Sequence, residues 1–366
     1  MTALLEARDV SKVFGGGLFD KRVTLALDDF SFAIDSAPPR VTAIVGESGS
    51  GKTTLARLLL GLITPTSGQV LYDGSDLRSL TRADKRRFLR DVQMIFQDPY
   101  EVYNPFYRVD HVLETPIREF KLASSRQAAR ALIHESLQAV GLRHEETLGR
   151  YPHQLSGGQR QRIMVARAVL VRPRLIIADE PVSMVDASLR ATILESLRQL
   201  NREYGMSIVY ITHDLTTAFQ ISDAIIVLYR GGVAEAGDVD LVVSQPRHPY
   251  TQLLIRSVPR PDPDRAWGSA AVREAAADEP NEPIHIEVGG GLLPAEVTAR
   301  VAAQAHGGHL VRGCSFADRC PFVMPACRTD VPPLFQLDGA RVAACLLYSA
   351  EGAALRSQQL SEVMSA

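Results

Sequence analysis

Residues 46–53 of this 366-residue chain form a glycine-rich segment of a type that binds phosphate. The segment reads Gly-Glu-Ser-Gly-Ser-Gly-Lys-Thr and fits the pattern G-x-x-x-x-G-K-[ST]. Its glycines allow backbone N–H groups to surround a phosphate at the positive end of a helix. We expect Lys52 to reach the β and γ phosphates of a nucleotide and the Thr53 hydroxyl to bind Mg²⁺.

The residues around this segment are those of a strand, a loop and a helix. Residues 41–45 form a short β-branched run typical of a strand buried in a parallel sheet. Residues 53–60 open a helix that stops at Gly61. The alternative is a glycine-rich strand-to-helix turn in which the lysine is solvated and binds no phosphate. The residues that we assign to nucleotide contact here are Gly46, Glu47, Ser48, Gly49, Ser50, Gly51, Lys52, Thr53 and Thr54.

Two further strands end in residues that can take part in phosphate chemistry. Asp179 and Glu180 directly follow the apolar run 175–178, and His213 follows a similar run at 208–212. The first carboxylate can bind Mg²⁺ behind the phosphate loop, and the second can orient or deprotonate an attacking water. His213 can bridge the γ-phosphate and the base. The alternatives are two solvated acids in a turn and a structural histidine.

The four cysteines are confined to one part of the chain. The first 313 residues contain none, and all four lie between Cys314 and Cys345. Disulfides are not expected in a reducing compartment, where a clustered set of cysteines more often binds metal.

Composition indicates an ordinary soluble surface. Charged residues make up 22% of the chain and the net charge is −2, so no basic excess points to nucleic acid as a partner. No apolar run approaches the roughly 18 residues that cross a bilayer. The N-terminus shows no signal peptide. We expect a cytosolic protein whose membrane role, if any, requires partner subunits.

Elements alternate along the chain in the manner of an α/β fold. Residues 4–13 and 23–34 alternate apolar and polar, which predicts two antiparallel strands before the phosphate loop. A helical region is expected over 109–140, and another helix after Ser156. Strands that alternate with helices imply a sheet that binds ligands at the carboxyl ends of its strands. The phosphate loop, the acidic pair and the histidine all fall at such ends.

Six motifs in a fixed order resemble those of the ATP-binding subunits of ABC transporters, over about residues 4–256. The resemblance implies a P-loop ABC ATPase domain of α/β class, with a RecA-like core, an antiparallel β subdomain and an α-helical subdomain. The motifs are the phosphate loop, Gln97 within residues 95–99, Leu155 to Gln159, Asp179-Glu180-Pro181, residues 183–186 and His213.

The resemblance also implies a role for each motif. Gln97 corresponds to the residue that contacts Mg²⁺ and the attacking water and senses the membrane partner. Asp179 is implied as a Mg²⁺ ligand, Glu180 as the general base and His213 as the switch histidine. Asp186 is implied as the residue that crosses the dimer interface.

Two more nucleotide contacts follow from the same resemblance. Ser156, Gly157, Gly158 and Gln159 correspond to the signature motif, which binds the γ-phosphate of ATP held by the other subunit. Its glycines at a helix N-terminus let the backbone approach a phosphate. Phe14 lies where the family places an aromatic ring that stacks on adenine. The alternative for Phe14 is a core residue at the end of a strand.

Residues 248–251 and the cysteines resemble the C-terminal extension of oligopeptide and dipeptide importer ATPases. The spacing C-x₅-C-x₆-C-x₁₇-C is loose for structural zinc, which usually uses pairs two to four residues apart. Four thiolates suffice for a [4Fe–4S] cluster, which we expect here. Zinc and unligated or oxidised thiols are the alternatives. The predicted cluster ligands are Cys314, Cys320, Cys327 and Cys345.

The implied function is ATP hydrolysis that powers uptake of dipeptides or oligopeptides; related machinery imports oligosaccharides or nickel. The implied partners are a second ATPase subunit that forms a heterodimer, two permease subunits and an extracytoplasmic binding protein. The implied location is peripheral, on the cytoplasmic face of the inner membrane. Two other classes of protein are alternatives. A soluble ABC ATPase would carry long coiled-coil insertions or two fused cassettes, and this sequence has neither. A P-loop kinase would lack the signature motif, which is present at residues 155–159.

The expected organisation has four parts. Residues 1–258 form the nucleotide-binding domain, with its helical subdomain at about 100–170. A change to proline-rich and then Ala/Glu-rich composition from Pro259 marks a linker. The remaining parts are the linker 259–311, the cysteine-rich module 312–350 and the tail 351–366.

Overall fold

The computed structural model describes residues 3–15, 22–98, 103–258, 284–287, 313–349 and 354–355. Most of the expected linker and tail therefore lies outside the described residues. The described chain divides into two units. The first comprises Met1–Asp35, Ala43–Ser79 and Thr212–Ala366, and the second comprises Ser36–Thr42 and Leu80–Ile211. The cysteine-bearing residues thus belong to the same unit as the phosphate loop.

Strands occur along nearly the whole of the described chain. In chain order they are β1 (Leu5–Gly15), β2 (Arg22–Ile34), β3 (Val41–Val45), β4 (Ser67–Tyr72), β5 (Ser75–Asp76), β6 (Val92–Ile95), β7 (Leu175–Asp179), β8 (Ser207–Thr212), β9 (Ala224–Tyr229), β10 (Gly232–Asp238), β11 (Ile284–Glu287), β12 (Leu334–Asp338), β13 (Arg341–Ala343) and β14 (Ala354–Leu355).

Helices alternate with the central strands, and several begin at a side-chain cap of the expected type. Ser125, for example, accepts a hydrogen bond from the Ala128 N–H at the start of α4. In chain order the α-helices are α1 (Lys52–Leu59), α2 (Arg82–Asp91), α3 (Asp110–Phe120), α4 (Arg126–Ala139), α5 (His144–Thr147), α6 (Gly157–Leu170), α7 (Ala187–Tyr204), α8 (Leu215–Ile221), α9 (Val239–Ser244) and α10 (Pro249–Arg256).

The first unit contains an antiparallel sheet of order β11-β2-β1-β4-β5. Leu5 of β1 lies opposite Ile34 of β2 on one side and Tyr72 of β4 on the other. These residues are buried because alternate positions of β1 and β2 face the core. The two antiparallel strands expected before the phosphate loop are confirmed.

The cysteine-bearing segment adds strands to a second sheet of the first unit. Within that unit the order is β14-β12-β13-β10-β9-β3, and β13 pairs antiparallel with β10 through Glu235 opposite Ala343. Phe316 is buried in the same hydrophobic cluster as Val45 and Tyr250. The cysteine-bearing segment is therefore packed on the nucleotide-binding part of the chain.

The second unit contains three parallel strands, β6, β7 and β8, in adjacent positions. All five residues of β7 are buried, as its uninterrupted apolar run predicts. The region 109–140 was expected to be helical, but it forms two helices rather than one. Helix α3 ends at Phe120, the following Lys121 adopts left-handed backbone angles, and α4 begins after Ser125. No helix in the described part of the chain is long and apolar enough to cross a membrane.

A fully buried arginine joins β13 to α9. The Arg341 guanidinium pairs with the Asp338 carboxylate and donates to the backbone carbonyls of Leu241 and Gln245. Its side chain has no solvent exposure. A buried arginine needs this set of acceptors because its charge and its donors are otherwise costly to remove from water.

We predict that Arg341→Met destabilises the protein by about 3 kcal/mol, because it removes a fully buried guanidinium that donates to two backbone carbonyls and pairs with the Asp338 carboxylate. Urea denaturation followed by circular dichroism measures this loss. Arg247→Met is the matched control. Arg247 also lies beside Asp338, at 3.6 Å, but its side chain is 45% exposed, so its loss should cost less than about 1 kcal/mol. Equal effects of the two changes would contradict this account of Arg341.

Candidate functional site

The phosphate loop connects the buried strand β3 to helix α1. The loop runs from Gly46 to Gly51, and Lys52 is the first residue of the helix. Ser50 is fully buried, and its N–H donates to the Glu47 carbonyl at 3.2 Å, which closes a turn within the loop. The loop therefore lies at the positive end of the helix dipole, as predicted for a phosphate site.

Two glycines of the loop are required by close backbone contacts. A Cβ atom at Gly46 would lie 2.3 Å from the Leu228 carbonyl oxygen, and one at Gly51 would lie 2.4 Å from the Ala26 carbonyl oxygen. Gly51 also has φ of 103°, a left-handed conformation that favours glycine. The loop is thus packed against the backbones of β9 and β2.

Lys52 is buried, and its ammonium group lies within the turn of the loop. It donates to the carbonyl oxygens of Gly46 at 2.7 Å and Glu47 at 2.8 Å. The positive charge is therefore held at the centre of the loop, where it can interact with the phosphates of a nucleotide. Thr53, on the next position of α1, is exposed.

Glu47 makes two contacts that sequence reasoning missed. Its backbone N–H donates to the Tyr250 hydroxyl oxygen at 3.0 Å, and its carboxylate accepts from Arg319 at 3.0 and 3.4 Å. Tyr250 lies on α10, and Arg319 lies next to Cys320. The only sequence signal was that both partners fall in the segment that resembles a C-terminal extension.

His213 and Phe14 are also part of the first unit, and both side chains are exposed. His213 directly follows β8. Phe14 lies near the end of β1 with 41% of its surface exposed, and the Lys12 ammonium lies 5.0 Å from its ring centroid. An exposed ring is free to stack on a planar ligand, and the alternative of a core phenylalanine is not supported.

The second unit brings Gln97 and Glu180 together. The Gln97 amide donates to the Glu180 carboxylate at 3.0 Å, although 83 positions separate the two residues. Asp179 is buried at the end of β7, and Glu180 follows with its N–H donating to the Ile211 carbonyl at 2.8 Å. Glu180 has φ of 45°, an uncommon conformation for this residue type and one that is typical of functional sites.

Ser156 and Gln159 form a reciprocal cap at the start of α6. The Ser156 hydroxyl accepts from the Gln159 N–H at 3.2 Å, and the Gln159 side chain accepts from the Ser156 N–H at 3.0 Å. This capping box fixes the helix N-terminus that carries the two glycines. The expected helix after Ser156 is confirmed.

The two glycines of this motif have different surroundings. A Cβ atom at Gly158 would lie 2.4 Å from the Leu189 side chain on α7, whereas the nearest atom to one at Gly157 would be the Met184 carbonyl oxygen at 3.7 Å. Gly158 thus lies in close contact with the Leu189 side chain, which would have to move to admit a Cβ atom, and this contact between α6 and α7 was not predicted from the sequence. Asp186 is exposed and occupies the N-cap position of α7, where its side chain makes no cap hydrogen bond.

The four cysteines line one cavity in the first unit, together with His248 and Phe316. Cys327 and Cys345 are buried, and Cys314 and Cys320 are partly exposed. Burial raises the pKa of Cys345 to about 11 and also raises the pKa values of Cys314 and Cys320. Among the described residues, no three His, Cys, Asp or Glu side chains are arranged to hold a metal ion.

Comparison with known proteins identifies the family. The family model described as ABC transporter matches residues 27–183, and the one described as oligopeptide/dipeptide transporter, C-terminal region, matches residues 234–284 and 293–327. A probable peptide ABC transporter ATP-binding protein of Sinorhizobium fredii is 37% identical over 356 residues, which cover 96% of this chain and 92% of that protein. The chain belongs to the ATP-binding proteins of ABC transporters.

Other relatives agree with this assignment. A putative oligopeptide transport ATP-binding protein of Bacillus subtilis is 37% identical over 94% of this chain and 95% of its own length. A di/tripeptide transport ATP-binding protein of Pseudomonas aeruginosa is 35% identical over 94% of this chain and 97% of its own length.

A solved structure confirms the fold of this ABC ATPase. A dimeric ATP-binding cassette in a post-hydrolysis state with bound ADP and Pi has a TM-score of 0.56 and 29% identity, and the match covers 64% of this chain and 98% of that chain. The α/β P-loop ABC ATPase fold is therefore confirmed. ATP and Mg²⁺ are both typical of the family. The phosphate loop is of the type that binds a triphosphate, and carboxylate and hydroxyl oxygens are ligands that suit Mg²⁺.

We predict that Gly51→Ala weakens ATP binding by at least about tenfold, since strain at positive φ alone costs about 1–3 kcal/mol and the new Cβ overlaps a carbonyl of β2. Titration with a fluorescent ATP analogue measures the affinity. Gly74→Ala is the control, because Gly74 also has positive φ, of 80°, but a Cβ there meets nothing within 4 Å. Unchanged affinity in Gly51→Ala would contradict the account of the loop.

Proposed function

We propose that this ABC ATPase hydrolyses ATP to power uptake of dipeptides or oligopeptides through partner permeases. The observation that carries the catalytic part is the Gln97–Glu180 hydrogen bond at the end of the buried strand β7. The peptide cargo is supported by the relatives named above and by the match to the C-terminal region of peptide transporters.

In the first unit, the phosphate loop binds the triphosphate. Lys52 supplies positive charge to the β and γ phosphates, and the loop N–H groups at the N-terminus of α1 supply hydrogen bonds. Thr53 in the first unit, and Asp179 and Gln97 in the second, would each offer an oxygen ligand to Mg²⁺. Mg²⁺ would supply positive charge that neutralises the phosphates. Phe14 stacks on the adenine ring.

Glu180 acts as the general base on the attacking water. Its carboxylate accepts the water proton, and the Gln97 amide fixes its orientation through the 3.0 Å hydrogen bond. His213 contacts the γ-phosphate from the first unit. Glu180 directly follows β7 and has an uncommon backbone conformation, and this conformation fixes the direction in which its side chain leaves the backbone.

A second ATPase subunit completes each nucleotide site. The capped helix N-terminus formed by Ser156, Gly157, Gly158 and Gln159 binds the γ-phosphate of ATP held by that subunit, and Asp186 lies at the dimer interface. ATP stabilises the closed dimer because its γ-phosphate contacts both subunits, whereas ADP leaves one side without its ligand. The partner is a paralogous subunit.

The remaining partners are two transmembrane permease subunits and an extracytoplasmic substrate-binding protein. The chain lies peripherally on the cytoplasmic face of the inner membrane. In this organisation residues 1–258 are the nucleotide-binding domain, with the helical subdomain at about 100–170, and residues 312–350 are the cysteine-rich module. Oligosaccharides or nickel are the alternative cargoes, and co-purification with a binding protein followed by ligand screening distinguishes them.

We predict that Glu180→Gln lowers ATP turnover by at least about a hundredfold, because the amide cannot accept the proton of the attacking water. ATP binding should remain, and an ATP-bound dimer should accumulate. Phosphate release and analytical ultracentrifugation with ATP measure the two effects in the presence of the partner ATPase subunit. Unchanged turnover would remove Glu180 from the role of general base.

Lys52→Ala serves as the matched comparison for this experiment. It removes the charge at the centre of the phosphate loop, so the affinity for ATP itself should fall. The two variants therefore separate binding from hydrolysis. Normal ATP binding by Lys52→Ala would argue against the phosphate-loop assignment.

For the cysteines we propose a [4Fe–4S] cluster, with zinc as the alternative. The cavity lined by four cysteines supports a shared ligand. A zinc ion needs all its sulfurs about 2.3 Å from one point, whereas each cysteine of a cluster binds a different iron, so the sulfurs lie farther apart. The cysteine spacing C-x₅-C-x₆-C-x₁₇-C, which is loose for structural zinc, is the reason for proposing the cluster first. Cys314, Cys320, Cys327 and Cys345 would hold it as thiolates and keep the segment folded.

We predict about four iron and four sulfide per chain after anaerobic purification. Cys345→Ser should reduce the iron content severalfold, because Cys345 is a buried ligand far along the chain from the other three. Ser315→Ala, beside a predicted ligand, is the control and should keep the full content. A finding of stoichiometric zinc and no sulfide would contradict the cluster and support a zinc site instead.

A further inference from the structure

The phosphate loop is held from outside by the C-terminal part of the chain. Glu47 is the second residue of the loop, and its carboxylate pairs with Arg319, which lies 272 positions away. The two side chains are 25% and 15% exposed, respectively. This pair is therefore shielded from water more than an ordinary surface ion pair.

Arg319 has little freedom to leave this position. It lies in a short 3-10 turn, Ala317–Arg319, and its guanidinium carbon is 5.8 Å from the ring centroid of Phe316 and 6.0 Å from that of Tyr229. These rings are part of an aromatic cluster in which Phe316 lies edge-on to Tyr229 at 5.3 Å. Stacking on aromatic rings restricts the guanidinium, so the ion pair costs little further entropy.

The other groups of Glu47 are also bonded. Its N–H donates to the Tyr250 hydroxyl oxygen, and its carbonyl accepts from Lys52. Tyr250 is fully buried and lies 5.6 Å from Phe316, ring centroid to ring centroid. The backbone and the side chain of this loop residue are thus both fixed, and two of the three groups that fix it come from the C-terminal part of the chain.

The Arg319–Glu47 pair affects a nucleotide in two ways. A loop of glycines loses much conformational entropy when it closes on a phosphate, and a loop that is already ordered avoids that cost. In addition, a carboxylate in a phosphate loop repels the triphosphate unless a cation neutralises it. Arg319 holds the Glu47 side chain in place and neutralises its carboxylate.

We propose that Arg319 is a positioning residue for the phosphate loop, so that ATP affinity depends on the cysteine-bearing segment 313–349 that carries it. The proposal rests on the assignment of residues 46–53 to ATP binding. Arg319 itself need not touch the nucleotide; it acts through Glu47. The segment beside Cys320 is thereby part of the nucleotide site, although its cysteines are not.

The test is the affinity of the full-length protein for a fluorescent ATP analogue. Arg319→Gln should weaken binding by about five- to tenfold, the size of an ordinary coupling between two sites. Adding Glu47→Gln should recover part of this loss, because the variant no longer carries an uncompensated carboxylate beside the phosphates. Glu47→Gln alone leaves the cysteine-bearing segment intact and should weaken binding less than Arg319→Gln.

The KM for ATP should follow the same order as the binding constants, while kcat of Arg319→Gln in the assembled ATPase changes less than twofold. Arg328→Gln is the matched control, since it removes an equal charge from the same segment. Arg328 pairs with Asp318 at 3.2 Å, and both side chains are largely exposed, so affinity should not change. Native-state thiol titration checks that the segment is folded in each variant.

Two results would overturn the proposal. One is wild-type affinity in Arg319→Gln. The other is a double variant as weak as Arg319→Gln or weaker, since a purely structural role of the arginine would not be relieved at Glu47. Lys52→Ala distinguishes this failure from failure of the nucleotide site. If Lys52→Ala loses ATP binding and Arg319→Gln does not, only the positioning role of Arg319 is contradicted. If the wild type binds no ATP, the nucleotide site and the positioning role are both contradicted.

Discussion

A phosphate loop depends on its surroundings for its shape. Its backbone N–H groups must all face one phosphate, yet the glycines that permit this geometry give the free chain many other conformations. Here the loop is held by backbone contacts of Gly46 and Gly51 with neighbouring strands and by the bonds of Glu47. Rigidity at this point is the condition for tight nucleotide binding, and most of it comes from residues far away in the chain.

The same principle applies at the end of β7 in the second unit. A fully buried strand delivers Asp179 and Glu180 to fixed positions, and the next parallel strand accepts the Glu180 N–H through the Ile211 carbonyl. Gln97, which follows β6 on the other side of β7, then reaches the Glu180 carboxylate. Adjacent parallel strands thus place residues from separate motifs in contact, which is why such folds carry their chemistry at the carboxyl ends.

Features written in consecutive residues could be predicted from the sequence. The strand, loop and helix around Lys52 and the start of a helix at Ser156 follow from local patterns. The break after Phe120 was not predicted: Ser125, which caps α4, is a local signal of a new helix, but the left-handed backbone of Lys121 is visible only in the structure. The close contact at Gly158 was also hidden, since it is made by Leu189, a residue on another helix.

Contacts between distant parts of the chain were the least predictable. Nothing in the composition of residues 313–349 indicates that Arg319 reaches Glu47, because an arginine beside a cysteine is equally compatible with a solvated turn. The position of Arg319 depends on two features of the packing, the pairing of β13 with β10 and the burial of Phe316. Together they fix the segment against β9 and α10. The sequence motifs indicated which residues carry the chemistry, but the contacts that hold the phosphate loop in place were visible only in the packing.

The position of Arg319 also follows from the backbone between two cysteines. The Ala317 N–H donates to the Cys314 carbonyl, and the Cys320 N–H donates to the Ala317 carbonyl, so residues 314–320 form one tight hydrogen-bonded turn. The thiols at both ends of this turn line the cavity, while the arginine near its end pairs with the phosphate loop. The turn therefore joins two of the cysteines that line the cavity to the arginine that pairs with Glu47. A segment that is remote in sequence is in this way in direct contact with the phosphate loop.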